Sequence, residues 1–330
     1  MMHLPSSSRQ PVREAWTRER LYRERAIAIA SAIDAGSISS YSSALNSYIN
    51  FCSLHDFPVE PTPDTLSFFA VFMCHHIKPT SVDSYLSGIC NQLEPFFPDV
   101  RAHRHHRLVV KTIHGCKKIN PSAPARKRPL SRSDLESLAP FYRSSTSYDD
   151  QLFFSLLLTG FHGLMRLGEL VWPDQKKLRD YRKVICRNTV RLNHASYQFY
   201  LPGHKADRFF DGNDVIIQST HTFDDPFSPF LSYLNNRDKL FPFRPELWLK
   251  RDGTIPTRSW FMRRLRHHFP DDIGGHSLRA GGATALAEAG IPPYIIQAIG
   301  RWTSEAFQTY IRRHPVLLAV LLFSRHLSTS

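Results

Sequence analysis

The chain contains no Cys-x-x-Cys pair, and its five cysteines (Cys52, Cys74, Cys90, Cys116, Cys186) are odd in number and widely spaced. That pattern excludes a disulfide framework and a thiolate zinc site, and predicts free thiols in a reduced, intracellular setting. A glycine loop of the Walker type is missing too, which argues against ATP use. Long apolar runs are absent. The run at 316 to 323 falls far short of the roughly 20 residues a membrane span needs, and the first residues hold no apolar stretch of export-signal length. There is no internal repeat and no low-complexity tract.

Positive charge is plentiful. The 330 residues carry 42 Lys/Arg against 29 Asp/Glu, a net charge of +13. A polyanionic partner is expected, with nucleic acid the first candidate and a membrane surface the second. Hydrophobic residues make up 42% of the chain and aromatics 12%, so it has material for folded cores and length for two domains. The charge is also unevenly placed. Residues 1 to 100 hold seven Lys/Arg and ten Asp/Glu, whereas residues 101 to 128 hold nine basic side chains and no acidic one: Arg101, Arg104, Arg107, Lys111, Lys117, Lys118, Arg126, Lys127 and Arg128.

The pattern along the chain predicts a mainly α fold with a small antiparallel β-sheet, an α+β class. Residues 1 to 14 are polar and Pro/Ser-rich and read as disordered. Residues 15 to 35 read as a helix stopped by Gly36, and Tyr41, Leu45, Tyr48, Ile49 and Cys52 mark one face of a second. Helices follow over 66 to 76 and from Ser81, giving a small all-α domain over 15 to 120. Residues 121 to 130 are a basic, Pro-rich linker, and a second domain spans 131 to 330. Within it the apolar run 152 to 158 reads as a buried helix, and strands are predicted at 184 to 192, 197 to 201 and 214 to 218. Helices resume over 259 to 268 (basic at Arg263 and Arg264), 278 to 289 and up to Ile299, with a last one carrying Tyr310.

Candidate chemistry lies in an ordered set of polar residues. Arg166 follows the apolar helix in the run Gly163-Leu-Met-Arg-Leu-Gly-Glu-Leu170; it either pairs with Glu169, three residues on, or meets a ligand where Gly160, Gly163 and Gly168 break the helix. His276 and Arg279, three apart, share one face of a helix start, where backbone N–H groups also favour an anion. Lys205 sits on a hairpin, Trp302 after a helix, and Tyr310 at helical spacing with Phe307 and Ile311. Each alone is ordinary. A tyrosine hydroxyl is both nucleophile and leaving group, arginine forks match phosphate oxygens, and histidine and lysine move protons, so together they suit cleavage of a phosphodiester. The His103, His105, His106, His114 and Cys116 group is interspersed with arginines, and phosphate contact is the better reading than metal.

In that order the residues resemble the active-site signature of the tyrosine recombinases, the phage-integrase-like enzymes that break and rejoin DNA. The strings Leu-Pro-Gly-His-Lys-Ala-Asp, His-Ser-Leu-Arg-Ala-Gly-Gly-Ala-Thr and Gly-Arg-Trp-Thr-Ser-Glu-Ala-Phe-Gln-Thr-Tyr-Ile-Arg look most like recombinases of eukaryotic mobile elements, DIRS-like and Crypton-like. The resemblance covers roughly residues 20 to 325. It implies that Tyr310 forms a 3′-phosphotyrosyl bond, that Arg166 and Arg279 hold the non-bridging oxygens, and that His276 assists proton transfer. It further implies that Lys205 protonates the departing 5′ oxygen, that Trp302 donates to or packs beside the phosphate, and that Glu169 supports Arg166. The helical part would be a SAM-like core-binding domain that clamps double-stranded DNA together with a catalytic domain, in a dimer or tetramer, without cofactor, metal or membrane, and in the nucleus. An inactive DNA-binding derivative and a type IB topoisomerase are the alternatives. The interval from Trp302 to Tyr310 is eight residues, one fewer than in many bacterial and phage members.

Overall fold

The computed structural model describes residues 13–121, 127–203, 207, 211–269 and 272–302. The chain divides into two compact units, Met1–Pro124 and Ala125–Ser330.

The described part of the first unit is all helical: α1 (Arg18–Ser31), α2 (Ala35–Leu54), α3 (Pro63–Cys74), α4 (Pro79–Leu93), α5 (Val100–His105) and α6 (Arg107–Ile119). Thr62 starts α3 by accepting from the Thr65 N–H at 3.2 Å, with Pro63 in the first turn where its missing N–H is harmless. Tyr48 of α2, Leu66 and Phe69 of α3, Val82, Leu86 and Ile89 of α4 and Val109 of α6 form one buried core. In α6 the apolar residues Val109, Ile113 and Cys116 face that core, and Arg107, Lys111, His114 and Lys118 repeat at helical spacing on the exposed side. One expectation is corrected here. Gly36 does not stop a helix; the break falls at 32 to 34, and Gly36 lies in the first turn of α2 behind Asp34.

The second unit is built around α8 (Tyr148–His162). Apolar on all sides, it is buried from Leu152 to Phe161. Before it comes α7 (Arg132–Arg143), opened by a capping box in which Ser131 and Asp134 satisfy each other's backbone N–H. After it come the single turn α9 (Leu167–Leu170), the strands β1 (Arg191–Asn193), β2 (Ser196–Leu201) and β3 (Asn213–Gln218), then α10 (Phe227–Leu240), α11 (Arg258–His268), α12 (Ser277–Glu288) and α13 (Pro293–Ile299). The sheet is an antiparallel meander in the order β1-β2-β3, with Tyr197 opposite Ile217 and Phe199 opposite Val215. Tyr197, Phe199 and Leu201 alternate into the core and Gln198 and Tyr200 point away.

The strand predicted at 184 to 192 is not one. Residues 181 to 183 and 187 to 189 are short 3₁₀ turns, and only 191 to 193 join the sheet. The β-branched residues there serve packing instead: Ile185 is buried, and its carbonyl accepts from Leu247 N at 2.9 Å beside an isolated bridge from Cys186 to Glu246. The glycines also act differently from expectation. Gly160 lies inside α8, where a Cβ would come within 2.6 Å of Leu278 in α12. Gly281 and Gly282 are inside α12, where a Cβ would overlap the Leu130 and Phe161 carbonyl oxygens respectively. Helix-interior glycine costs about 0.5–1 kcal/mol relative to alanine, and here it lets α12 lie directly on two stretches of backbone. No helix among the described residues is long and apolar enough to cross a membrane.

Candidate active site

The turn after α8 collects the candidate residues. Gly163 ends the helix, and Leu164 takes a left-handed φ of 48° while its side chain is fully buried. Left-handed backbone at a leucine is uncommon and persists only when its surroundings impose it. Here the Leu164 carbonyl accepts from Arg279 Nη1 at 2.9 Å. Two residues later Arg166 precedes α9, and Glu169 grips it twice: Oε2 accepts from the Arg166 backbone N–H at 3.0 Å and Oε1 from Nη1 at 2.9 Å. The two readings of Arg166 are thus compatible. Its pairing with Glu169 is real, and with a carboxylate that is 6% exposed the pair holds the guanidinium in a fixed direction.

Arg279 comes to the same turn from α12. It is 2% exposed, and besides Leu164 its guanidinium donates to the Gly300 carbonyl beyond α13. Its Cζ lies 4.1 Å from the centroid of the Trp302 ring. Trp302 closes a small apolar cluster with Leu164, Ala283, Ala287 and Ile296. His276 is the N-cap residue of α12, exposed, one residue from Gly275, where a Cβ would touch Leu167 next to Arg166. Arg166, Glu169, Arg279 and Trp302 are therefore brought together, with His276 at the adjoining helix start. Lys205 and Tyr310 lie outside the described residues, as does Arg126.

Sequence reading missed two arginines. Arg301, between Gly300 and Trp302, has a side chain 8% exposed and reaches Glu169 Oε2 at 3.5 Å. A Cβ on Gly275 would lie 3.0 Å from Arg258 Nη1. Periodicity gives no signal for either; the one cue to Arg301 is its place in the Gly-Arg-Trp string. A cavity of about 520 Å³ opens beside this group, lined by Gly163, Val215, Ile299, Arg301 and Trp302 among others. Arg166 and Arg301 share the Glu169 carboxylate at this turn, and Arg279 donates to the Leu164 carbonyl beside them, so three guanidinium groups converge where arginine forks could meet an anion.

The buried tyrosines of this unit are structural. Tyr148 donates to the Leu249 carbonyl at 3.0 Å, and burial pushes its pKa up to about 12. Tyr197 and Tyr233 are likewise shifted upward by burial, the first hydrogen bonded to Thr159 and the second donating to Leu247 O. Such phenols are poor nucleophiles near neutral pH.

Several of the basic candidates already have partners within their own unit. Arg101 is bidentate to Glu94, Lys117 meets Asp83 at 2.5 Å, and Arg104 donates to the Asp83 carbonyl. Arg128 bridges Asp134 and Asp272 within the second unit, and Arg264 pairs with Asp150 over the Trp260 ring. Arg107, Lys111 and Lys118 on α6, with Lys127 and Arg263, are exposed. The basic run is thus mostly helical, on α5 and α6, and only its end belongs to the linker. His103 and His105 contact the backbone carbonyls of Pro61 and Arg101, and no metal-binding group of three is present among the described residues.

The fold is similar to that of solved tyrosine recombinases. Among solved structures the chain is similar to the XerH site-specific recombinase in a post-cleavage complex with palindromic difH substrate (TM-score 0.61, 16% identity, covering 86% of this chain and 78% of that one). It is also similar to lambda integrase residues 75–356, a dimer bound to a COC′ core site (TM-score 0.53, 15% identity, 89% and 94% covered), and to the Tn1549 transposon integrase in complex with transposon right-end DNA (TM-score 0.51, 15% identity, 81% and 86% covered). No protein-family model and no curated protein matches the chain.

Proposed function

We propose that the chain is a site-specific DNA recombinase or integrase that cleaves and rejoins duplex DNA through a 3′-phosphotyrosyl intermediate, and that it serves a mobile element of the DIRS-like or Crypton-like kind. The observation that carries this reading is the meeting of Arg166, held by Glu169, with Arg279, held by Leu164 and Gly300, at one turn of a recombinase fold. In the reaction Tyr310 Oη attacks the scissile phosphorus and loses its proton with help from His276. Arg166 and Arg279 neutralise the non-bridging oxygens, and Lys205 protonates the 5′ oxygen as it leaves. One phosphoester bond is exchanged for another, so the step is reversible and no external energy source is consumed. Exposed Arg107, Lys111 and Lys118 on α6, with Lys127 and Arg263, supply sequence-independent phosphate contacts, and a dimer or tetramer assembles on the DNA. A nuclear location follows from the mobile-element reading.

The test uses a library of nicked duplexes with randomised cores, which traps a covalent adduct whatever sequence the protein prefers. Wild-type protein is expected to give an SDS-resistant protein–DNA species that persists in chelator and disappears in Tyr310→Phe. No adduct from the wild type, or an undiminished one from the variant, overturns the reading. Strand exchange between two trapped sites, against relaxation of a single supercoiled duplex, separates a recombinase from a topoisomerase.

A further inference from the structure

Arg301 occupies an unusual position. Its backbone is left-handed (φ 56°), a conformation glycine would take with less strain, and yet the residue carries a long charged side chain folded back into the protein. Nη1 donates to Ile299 O at 3.1 Å, and the two Nη groups make long contacts of 3.3 to 3.5 Å with Gly163 O, Leu164 O and Glu169 Oε2. Nε is buried and has no hydrogen-bond partner among the described residues. Burial presses its pKa below the usual arginine range; Glu169 opposes that shift and the Arg166 charge adds to it. So much strain and desolvation in one side chain calls for a reason beyond filling space.

We propose that Arg301 is a positioning residue for Arg166, acting through the carboxylate they share. The proposal rests on the reading of the site as one for phosphoryl transfer. Glu169 has two oxygens and three donors: Oε1 holds the Arg166 guanidinium, and Oε2 holds the Arg166 backbone N–H together with Arg301 Nη2. A lone carboxylate facing a lone arginine would hold its charge tightly and reduce what Arg166 offers to an incoming anion. A second guanidinium on the far oxygen draws part of that negative charge away and fixes the rotation of the carboxylate. The same side chain contacts the Gly163 and Leu164 carbonyls, so the turn that seats Arg166 and Arg279 is braced by the residue just before Trp302.

The experiment measures adduct formation on the nicked duplex library, DNA affinity and thermal stability for Arg301→Gly, Arg301→Lys, Glu169→Gln and the double variant Arg301→Gly/Glu169→Gln. Glycine accepts the backbone conformation, and lysine keeps the charge. Arg301→Gly is expected to slow adduct formation on the order of 100-fold with DNA affinity changed by less than about threefold, and Arg301→Lys to recover about a tenth of wild-type rate. Glu169→Gln should cost much less in the Arg301→Gly background than alone, because the two residues act through one contact. Unchanged adduct formation in Arg301→Gly, or losses that multiply independently in the double variant, overturn the proposal while leaving the reaction in place. Absence of adduct from the wild-type chain removes the reaction and this role with it.

Discussion

Arg279 and Trp302 are stacked, guanidinium over indole at 4.1 Å, at the meeting of α12 with the segment beyond α13. The ring covers a cation that donates to two backbone carbonyls, so the tryptophan shields the arginine from water on that side. Cation–π contact of a desolvated arginine with tryptophan is worth about 2 kcal/mol.

Trp302→Ala should therefore lower the stability of the second unit by about 3 to 5 kcal/mol, and Trp302→Phe by less than half as much. Denaturant unfolding of the full chain gives the comparison. Equal losses would show that a phenyl ring cannot stand in for the indole over Arg279 and would overturn the expected ratio.

Gly281→Ala and Gly282→Ala place a methyl group against a carbonyl oxygen, and each is expected to destabilise by about 3 kcal/mol or more. Gly115→Ala in α6 has nothing within reach of the new methyl and should stabilise the first unit by roughly 0.5 kcal/mol. Opposite signs in paired melting curves are the check.

Asp224 sets an acid limit. Its side chain is buried; burial would raise the carboxyl, but the neighbouring His162, 3.5 Å from Oδ2, the hydrogen bond from the Thr222 hydroxyl and the Arg132 charge prevail and hold it at about 2. The folded pKa lies below the unfolded value near 4, so the stabilisation, about 2 kcal/mol, is complete above pH 4 and is lost as pH falls towards 2. Unfolding of Asp224→Asn followed from pH 6 to pH 2 should show a flatter acid limb than the wild type. Parallel curves would remove the assignment.

On α6, Lys111→Ala and Lys118→Ala should each weaken binding to mixed-sequence duplex and reduce the slope of log K against log salt by about 1. Arg101→Ala and Lys117→Ala, whose charges are held by Glu94 and Asp83, are expected to change the slope by less than half of that. Titrations at four salt concentrations suffice. Equal slopes for all four variants would mean the carboxylate pairs open on DNA.

The helices were legible because burial imposes a period. Tyr48 and Cys52 on α2, and Val82, Leu86, Ile89 and Leu93 on α4, mark the faces that pack. The strand expected at 184 to 192 failed because Val184, Ile185 and Val190 have strand-like side chains but turn at 181 to 183 and 187 to 189, and no local preference encodes that bend. Arg166, Glu169, Arg279 and Trp302 were legible as a set through their types and order. Arg301 was not, since what distinguishes it is a left-handed backbone and partners at 163, 164 and 169, far away in sequence.

The contact of α12 with the Leu130 and Phe161 carbonyls bears on how freely this protein can vary. Arg279 takes its location from main chain resting on main chain, just ahead of Gly281 and Gly282. One added methyl at either glycine has no room against those carbonyl oxygens. The seat of the arginine thus depends on two positions that carry no side chain at all.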